Sequence, residues 1–144
     1  MDLRNSYHRS PRETIQGLVH IPRMIDKSYA HLNNTLGEYI YPCPLDKIIL
    51  NFIRTDPDDF ARFVTTHNEN EVDGWIKAKC QNRNEKEKSF INQQILGRSP
   101  DGEDRWAYFH EIRNKIDPSR TDITTWVALI DLEEGHLPPK SNSI

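Results

Sequence analysis

The fold class follows most directly from residues 45–53, which read LDKIILNFI. On a helix that packs against a core, apolar residues recur at positions i, i+3, i+4, i+7 and i+8. That spacing is filled here by Leu45, Ile48, Ile49, Phe52 and Ile53. A Pro-Cys-Pro turn at 42–44 directly precedes the stretch. Residues 45–53 therefore predict a core helix that begins after this turn.

Helical spacing recurs along most of the remaining chain, with start signals between the segments. Further helix starts are indicated at Pro22, Asp56-Pro57, Asn82 or Asn84, Asp101, and Thr121 or Asp122. A strand or extended segment is indicated only near residues 37–41, where Tyr39, Ile40 and Tyr41 are adjacent. We therefore predict an all-α fold, a compact orthogonal bundle of about eight short helices.

The first of these helices is predicted over residues 10–17. Ser10-Pro11-Arg12-Glu13 matches a capping box, with Ser10 as the N-cap, Pro11 at the first helical position and Glu13 reaching back. Gly17 would then end the helix.

Length and composition predict a single domain. The chain has 144 residues, of which 34 are Leu, Ile, Val or Phe, enough to build one core. We expect the domain to cover residues 10–135, with disordered ends at 1–9 and 136–144. The first twenty residues lack the apolar segment of a signal peptide, so we expect a cytoplasmic protein with reduced cysteines.

The charge balance disfavours nucleic acid and membranes as partners. Nineteen Lys and Arg stand against 22 Asp and Glu, a formal net charge of -3. A basic run lies within residues 77–88, but Glu85 and Glu87 interrupt it, as on a solvated helix surface. No apolar run approaches the length of a membrane span. We therefore expect neither partner.

Two arginines lie in the first turn of predicted helices, where acidic residues are the usual choice. Arg12 and Arg23 each follow a proline in the first turn of a predicted helix, and Lys27 lies four residues after Arg23. The positive end of the helix dipole prefers anions, so these cations favour a bound phosphate or carboxylate. We predict a ligand site of Arg12, Arg23, Asp26 and Lys27 that takes a small anion or an anionic partner. The alternative is that the arginines pair internally with Glu13, Asp26 or Asp46 and brace the helices.

Cys43 is the only candidate catalytic residue. A thiol before a helix start can be activated, which leaves a small thiol-dependent enzyme as an alternative function. Asp46, three residues on, opposes a thiolate there and can cap the same helix. The six histidines show no ligand spacing, so we expect no metal and no cofactor, although separate helices can assemble a metal site. A third function is binding of a protein partner through Tyr29, Tyr39 and Tyr41.

Several of these strings together resemble the bacterial DUF5069 family, a domain of unknown function. They are 10–13 (SPRE), 21–27 (IPRMIDK), 36–39 (LGEY), 43–46 (CPLD) and 122–126 (DITTW). The resemblance covers residues 3–135, and the string at 21–27 is its most specific part. It implies a bacterial, cytosolic, single-domain protein. It brings no activity, substrate, cofactor or catalytic residue.

Overall fold

The computed structural model describes residues 8–137. Within that range the chain forms one small β-hairpin and seven α-helices, which confirms the all-α prediction with one helix fewer than the eight expected. The strands are β1 (Thr14–Ile15) and β2 (Leu18–Val19), and the helices are α1 (Ile21–Leu32), α2 (Pro44–Phe52), α3 (Pro57–Thr66), α4 (Glu69–Lys79), α5 (Glu85–Leu96), α6 (Gly102–Ile116) and α7 (Trp126–Glu133).

The predicted helix at residues 10–17 is wrong, because these residues form a turn and the hairpin. β1 pairs with β2 antiparallel, Thr14 opposite Val19 and Ile15 opposite Leu18. Both residues of the connecting loop have positive φ, Gln16 at 52° and Gly17 at 76°, as a type I′ hairpin turn requires. One contact of the capping box forms, since Ser10 N donates to Glu13 Oε2, whereas Ser10 Oγ accepts from Arg12 N and the Ser10 carbonyl oxygen accepts from Glu13 N. They close a turn instead of starting a helix.

Most predicted helix starts are confirmed in position, and two of them have a side-chain cap. Asp56 accepts a hydrogen bond from Asp58 N before α3, and Asn84 accepts one from Glu87 N before α5. The last helix starts later than predicted, because its cap is Thr125, which accepts from Ala128 N. Residues 37–41 form no strand and belong to the loop between α1 and α2.

The backbone divides into two compact units, with the division at Ile95 and Leu96. The first unit contains the hairpin, α1 to α4 and α5 up to Ile95. Its most buried apolar side chains include Leu18, Ile21, Met24, Ile49, Ile53, Phe60, Val64 and Ile76. The second unit contains α6 and α7 around Phe109, Ile123 and Leu129. The single domain at 10–135 stays a prediction.

The predicted disordered ends lie almost entirely outside the described residues. His8 and Arg9 are described: His8 is buried, and Arg9 binds Asp26. None of the described helices is long and apolar enough to cross a membrane.

Helix α1 turns a charged face toward the interior of the first unit. Arg23, Asp26 and Lys27 are buried, whereas Leu32, the last residue of the same helix, is 49% exposed. Charged side chains are rarely this buried without partners. These buried charges and their partners therefore form the candidate functional region of the first unit.

Candidate functional site

Asp46 is the centre of a buried charged cluster. Its side chain is fully inaccessible to solvent. His20 Nε2 lies 2.6 Å from Oδ1, Lys27 Nζ lies 2.5 Å from Oδ2, and the backbone N–H of Cys43 donates to Oδ2 at 2.8 Å. We call His20, Lys27, Cys43 and Asp46 the Asp46 cluster.

Two helix starts bring this cluster together. His20 is the N-cap residue of α1 and has a left-handed backbone, with φ of 78°. Asp46 is the third residue of α2, where its carboxylate reaches back to Cys43 N while the Cys43 side chain accepts from the Asp46 backbone. This reciprocal capping box holds the Asp46 carboxylate in the position where Lys27 of α1 binds it.

Protonation in the cluster follows from burial and charge. Burial alone would raise the pKa of Asp46, but the hydrogen bond from His20 and the charge of Lys27 hold it well below its usual range. Burial lowers the pKa of His20, more than the nearby carboxylate raises it. His20 is then a neutral imidazole that donates from Nε2 to an ionised Asp46.

Cys43 lies in surroundings that disfavour a thiolate. Burial and the neighbouring charge of Asp46 raise the pKa of its thiol. A thiol-dependent enzyme needs the opposite shift, so these surroundings give that alternative no support. Cys80 is a second free thiol; it is buried, and burial raises its pKa as well.

The four residues of the predicted anion site fall in different surroundings. Lys27 belongs to the Asp46 cluster, and Arg12 is exposed in the turn before β1. Arg23 is buried, donates to the carbonyl oxygen of Arg9 at 3.2 Å, and lies 5.7 Å from the centre of the Tyr39 ring. These two contacts lie within the chain, but neither is with Glu13, Asp26 or Asp46, the partners that the bracing alternative names.

Asp26, the fourth predicted residue, is held by Arg9. Two nitrogens of the Arg9 guanidinium donate to the two Asp26 oxygens at 3.1 and 3.0 Å, and the Arg9 backbone N–H adds a third bond at 2.8 Å. A bidentate pair of this kind is both strong and directional. Arg9 was not among the predicted site residues, because residues 1–9 were expected to be disordered.

A cleft of about 680 Å³ opens beside this pair, between the hairpin, α1, the end of α3 and the start of α4. We call it the hairpin cleft. Its apolar lining is formed by Ile15, Pro22, Ile25, Tyr29, Val64 and Val72. Its volume lies within the range of about 300 to 1,000 Å³ that is typical of small-molecule sites.

Carboxylates dominate the polar lining of the hairpin cleft. Glu13, Asp26, Glu69 and Asp73 line it, against one guanidinium, that of Arg9. Burial alone would lower the pKa of Arg9, but the hydrogen bond and charge of Asp26, with the charges of Glu13 and Glu69, raise it. Four carboxylates therefore share the lining of this cleft with one guanidinium.

A second groove, of about 570 Å³, lies between α2 and α5 and is more open to solvent. On one side Arg83 lies 4.4 Å from the centre of the Phe52 ring and donates to Glu87 and to the Phe52 carbonyl. The Arg83 guanidinium is therefore already paired with residues that line or adjoin the groove. The hairpin cleft is the better candidate for a ligand.

The surface predicted for a protein partner is only partly exposed. Tyr29 is 36% exposed, but Tyr41 is buried and its hydroxyl donates to the Pro57 carbonyl at 2.6 Å. The expectation of an exposed Tyr41 is wrong, because this hydroxyl has a partner on α3.

Comparison with known proteins yields one family. The model of DUF5069, a domain of unknown function, matches residues 5–136, nearly the whole chain. No curated protein matches the sequence.

Proposed function

We propose that this chain, which belongs to the DUF5069 family, is a non-enzymatic binding module whose hairpin cleft takes a small molecule with a cationic amine and an apolar body. The observation that carries the proposal is the charge imbalance around Arg9. Four carboxylates, those of Glu13, Asp26, Glu69 and Asp73, line the cleft together with this single guanidinium.

The imbalance favours a cationic ligand. Asp26 already takes two nitrogens of the Arg9 guanidinium, so the pair is internally satisfied. Glu13, Glu69 and Asp73 remain as excess negative charge around the same cleft. A cleft lined by charge of one sign concentrates ions of the opposite sign, and an ammonium group supplies the missing charge.

The apolar wall favours a ligand with a hydrophobic body. Pro22, Val64 and Val72 are buried beneath the cleft, and Ile15 and Ile25 are half-buried. Sites for small molecules combine such a lining with a few polar groups that fix orientation. Here the orienting groups are carboxylates, which would hold the amine while the body contacts the aliphatic side chains.

An anionic ligand at Arg12, Arg23, Asp26 and Lys27 is the alternative that the sequence predicts. It would require Lys27 to leave Asp46, or Arg23 to leave the Arg9 carbonyl, and both cations are buried. The cationic ligand requires neither rearrangement, and the geometry therefore supports it better.

Two probes with the same aromatic body and opposite charge separate these alternatives. We expect phenethylamine to raise the midpoint of thermal unfolding and phenylacetate to leave it unchanged. At one hundred times its dissociation constant a ligand stabilises the fold by about 2.7 kcal/mol, which raises the midpoint by roughly 5 to 12 °C at this chain length. Stabilisation by phenylacetate alone would contradict the proposal and restore the anion site.

A matched pair of variants tests whether the amine binds in the hairpin cleft. Glu69 begins α4 within the cleft, and Glu103 lies in the first turn of α6 in the second unit. Glu69→Gln and Glu103→Gln each remove one exposed carboxylate from a helix start, so their effects on the helices are comparable. We expect Glu69→Gln to weaken phenethylamine binding about two- to fivefold in calorimetry and Glu103→Gln to leave it unchanged. Equal effects of the two would mean that the amine binds without a defined site.

A further inference from the structure

We infer that the ligand of the hairpin cleft carries a planar aromatic ring, which stacks on the imidazole of His67. This inference rests on the proposed function, because it names the chemical class of the amine that the cleft takes. It depends on three features of His67: its place in a stack of rings, the face that this stack leaves uncovered, and a hydrogen bond that fixes the plane of the imidazole.

Three aromatic side chains around the junction of α3 and α4 form a stack. The Phe63 ring is nearly parallel to the Trp75 ring, with the ring centres 4.1 Å apart, and nearly parallel to the His67 ring at 3.8 Å. Two rings cannot both lie this close to one face of Phe63, so they cover its opposite faces. Lys79 Nζ lies 5.4 Å from the centre of the Trp75 ring. His67 is therefore the ring at the other end of the stack.

One face of His67 is left uncovered by this stack. Phe63 covers the first face, and no second ring contacts His67 within the described part of the chain. His67 lines the hairpin cleft, whereas Phe63 and Trp75 do not. The cleft is therefore reached by the side of the imidazole that Phe63 leaves open.

A hydrogen bond fixes the plane of the imidazole. His67 Nδ1 lies 2.8 Å from the carbonyl oxygen of Phe63, which can only accept, so Nδ1 carries the proton and donates. Tyr29, another aromatic side chain of the cleft, is held in a similar way, because its hydroxyl donates to the Val64 carbonyl at 3.3 Å. Both rings are thus anchored to consecutive carbonyls near the end of α3. A ring that is held before binding loses less conformational freedom when a ligand stacks on it.

These features favour an aromatic body over an aliphatic one. Either body buries apolar surface against Ile15, Ile25 and Val72. A stacked pair of rings contributes binding free energy beyond the burial of its area, and only an aromatic body can form such a pair with His67. The cleft should therefore select aromatic amines, whose ammonium group the carboxylates attract.

Phenethylamine and 2-cyclohexylethylamine test this selectivity. Both carry the same ammonium group on the same two-carbon chain, but the saturated ring is neither planar nor aromatic. The saturated ring is also the more hydrophobic of the two, so apolar burial alone predicts that it binds at least as tightly. We expect calorimetry with the full chain to give phenethylamine the higher affinity, by about two- to tenfold.

Variants at position 67 connect this preference to the imidazole. His67→Phe keeps an aromatic ring on Phe63 and should keep the preference, whereas His67→Leu keeps only an apolar contact and should lose it. His110→Leu is the matched control, because His110 also contacts aromatic rings, those of Trp106 and Phe109, but belongs to the second unit. We expect this control to bind both amines as the wild type does.

Equal or tighter binding of 2-cyclohexylethylamine to the wild-type chain overturns the inference and leaves the cation site of the cleft intact. A preference that survives in His67→Leu, or that is lost in folded His67→Phe, overturns it as well. If His67→Leu does not fold, the wild type and His67→Phe decide the question. Binding of neither amine contradicts the proposed function itself, and the inference fails with it.

Discussion

Asp26 and Asp46 are two aspartates that both bind cations in the first unit, and they differ in what surrounds the pair. Asp46 is fully buried, and Lys27, His20 and the Cys43 backbone all point at it. Asp26 is 10% exposed, and its partner Arg9 is 37% exposed at the edge of the hairpin cleft.

The difference separates two uses of charge on one helix. Lys27 faces the interior from α1, where its charge is balanced by Asp46 and links α1 to the start of α2. Asp26 faces the hairpin cleft from the same helix, where Glu13 and Glu69 leave an excess of negative charge. The first pair is a structural element, and the second belongs to a surface that a ligand can reach.

Removal of the buried carboxylate should have the largest effect on stability. Asp46→Asn leaves Lys27 buried without a counter-charge and weakens the capping box of α2. We expect the free energy of unfolding to fall by about 3 to 5 kcal/mol, measured by urea denaturation at pH 7. A loss below about 1 kcal/mol would show that the interior tolerates an unpaired Lys27, and the distinction between the two aspartates would fail.

Removal of the cleft carboxylate should cost less. Asp26→Asn weakens the bidentate pair with Arg9, but water can reach the guanidinium that remains. We expect a loss of about 1 to 2 kcal/mol in the same denaturation experiment. A loss equal to that of Asp46→Asn would mean that both pairs are interior braces.

A high salt concentration should weaken ligand binding at the hairpin cleft, whose carboxylates face solvent. Raising the salt concentration from about 0.1 to 1 M shortens the screening length from roughly 10 to 3 Å, which weakens attraction at the solvent-facing cleft. We expect phenethylamine affinity to fall about two- to fivefold in calorimetry. Phenethylamine affinity that does not change with salt would contradict recognition by the carboxylates.

The smallest effect is expected at a fully exposed pair. Arg62 and Asp59 lie 3.1 Å apart on α3, and both side chains are about two-thirds exposed. Asp59→Asn should change the free energy of unfolding by less than about 0.5 kcal/mol. A larger change would show that the contribution of an ion pair to the free energy of unfolding does not follow its exposure in this protein.

The helices could be predicted largely from local signals. Asp56 and Asn84 cap the helices that follow them, and the apolar spacing of residues 45–53 does form a buried face. The hairpin could not be predicted in this way, because the hydrogen bond from Ser10 N to the Glu13 carboxylate forms in a turn as it would in a capping box. Positive φ at Gln16 and Gly17 decided the outcome.

The candidate site was harder to predict because its contacts join residues far apart in sequence. His20 and Asp46 are 26 residues apart, and Arg9 and Asp26 are 17 apart. The residues around α1 that carry charge were visible in the sequence, but the direction in which each one points depends on tertiary packing. The sequence offered no signal for Arg9, since it lies beside a terminus without helical spacing.

The most direct test is to map where phenethylamine binds by nuclear magnetic resonance, using backbone amide shifts of the full chain. We predict saturable changes at Ile15, Tyr29 and Val72, which line the hairpin cleft, and none at Ile49 in the core. Changes that centre on Arg23 and Lys27, or that appear only with phenylacetate, would contradict a cation site in the cleft.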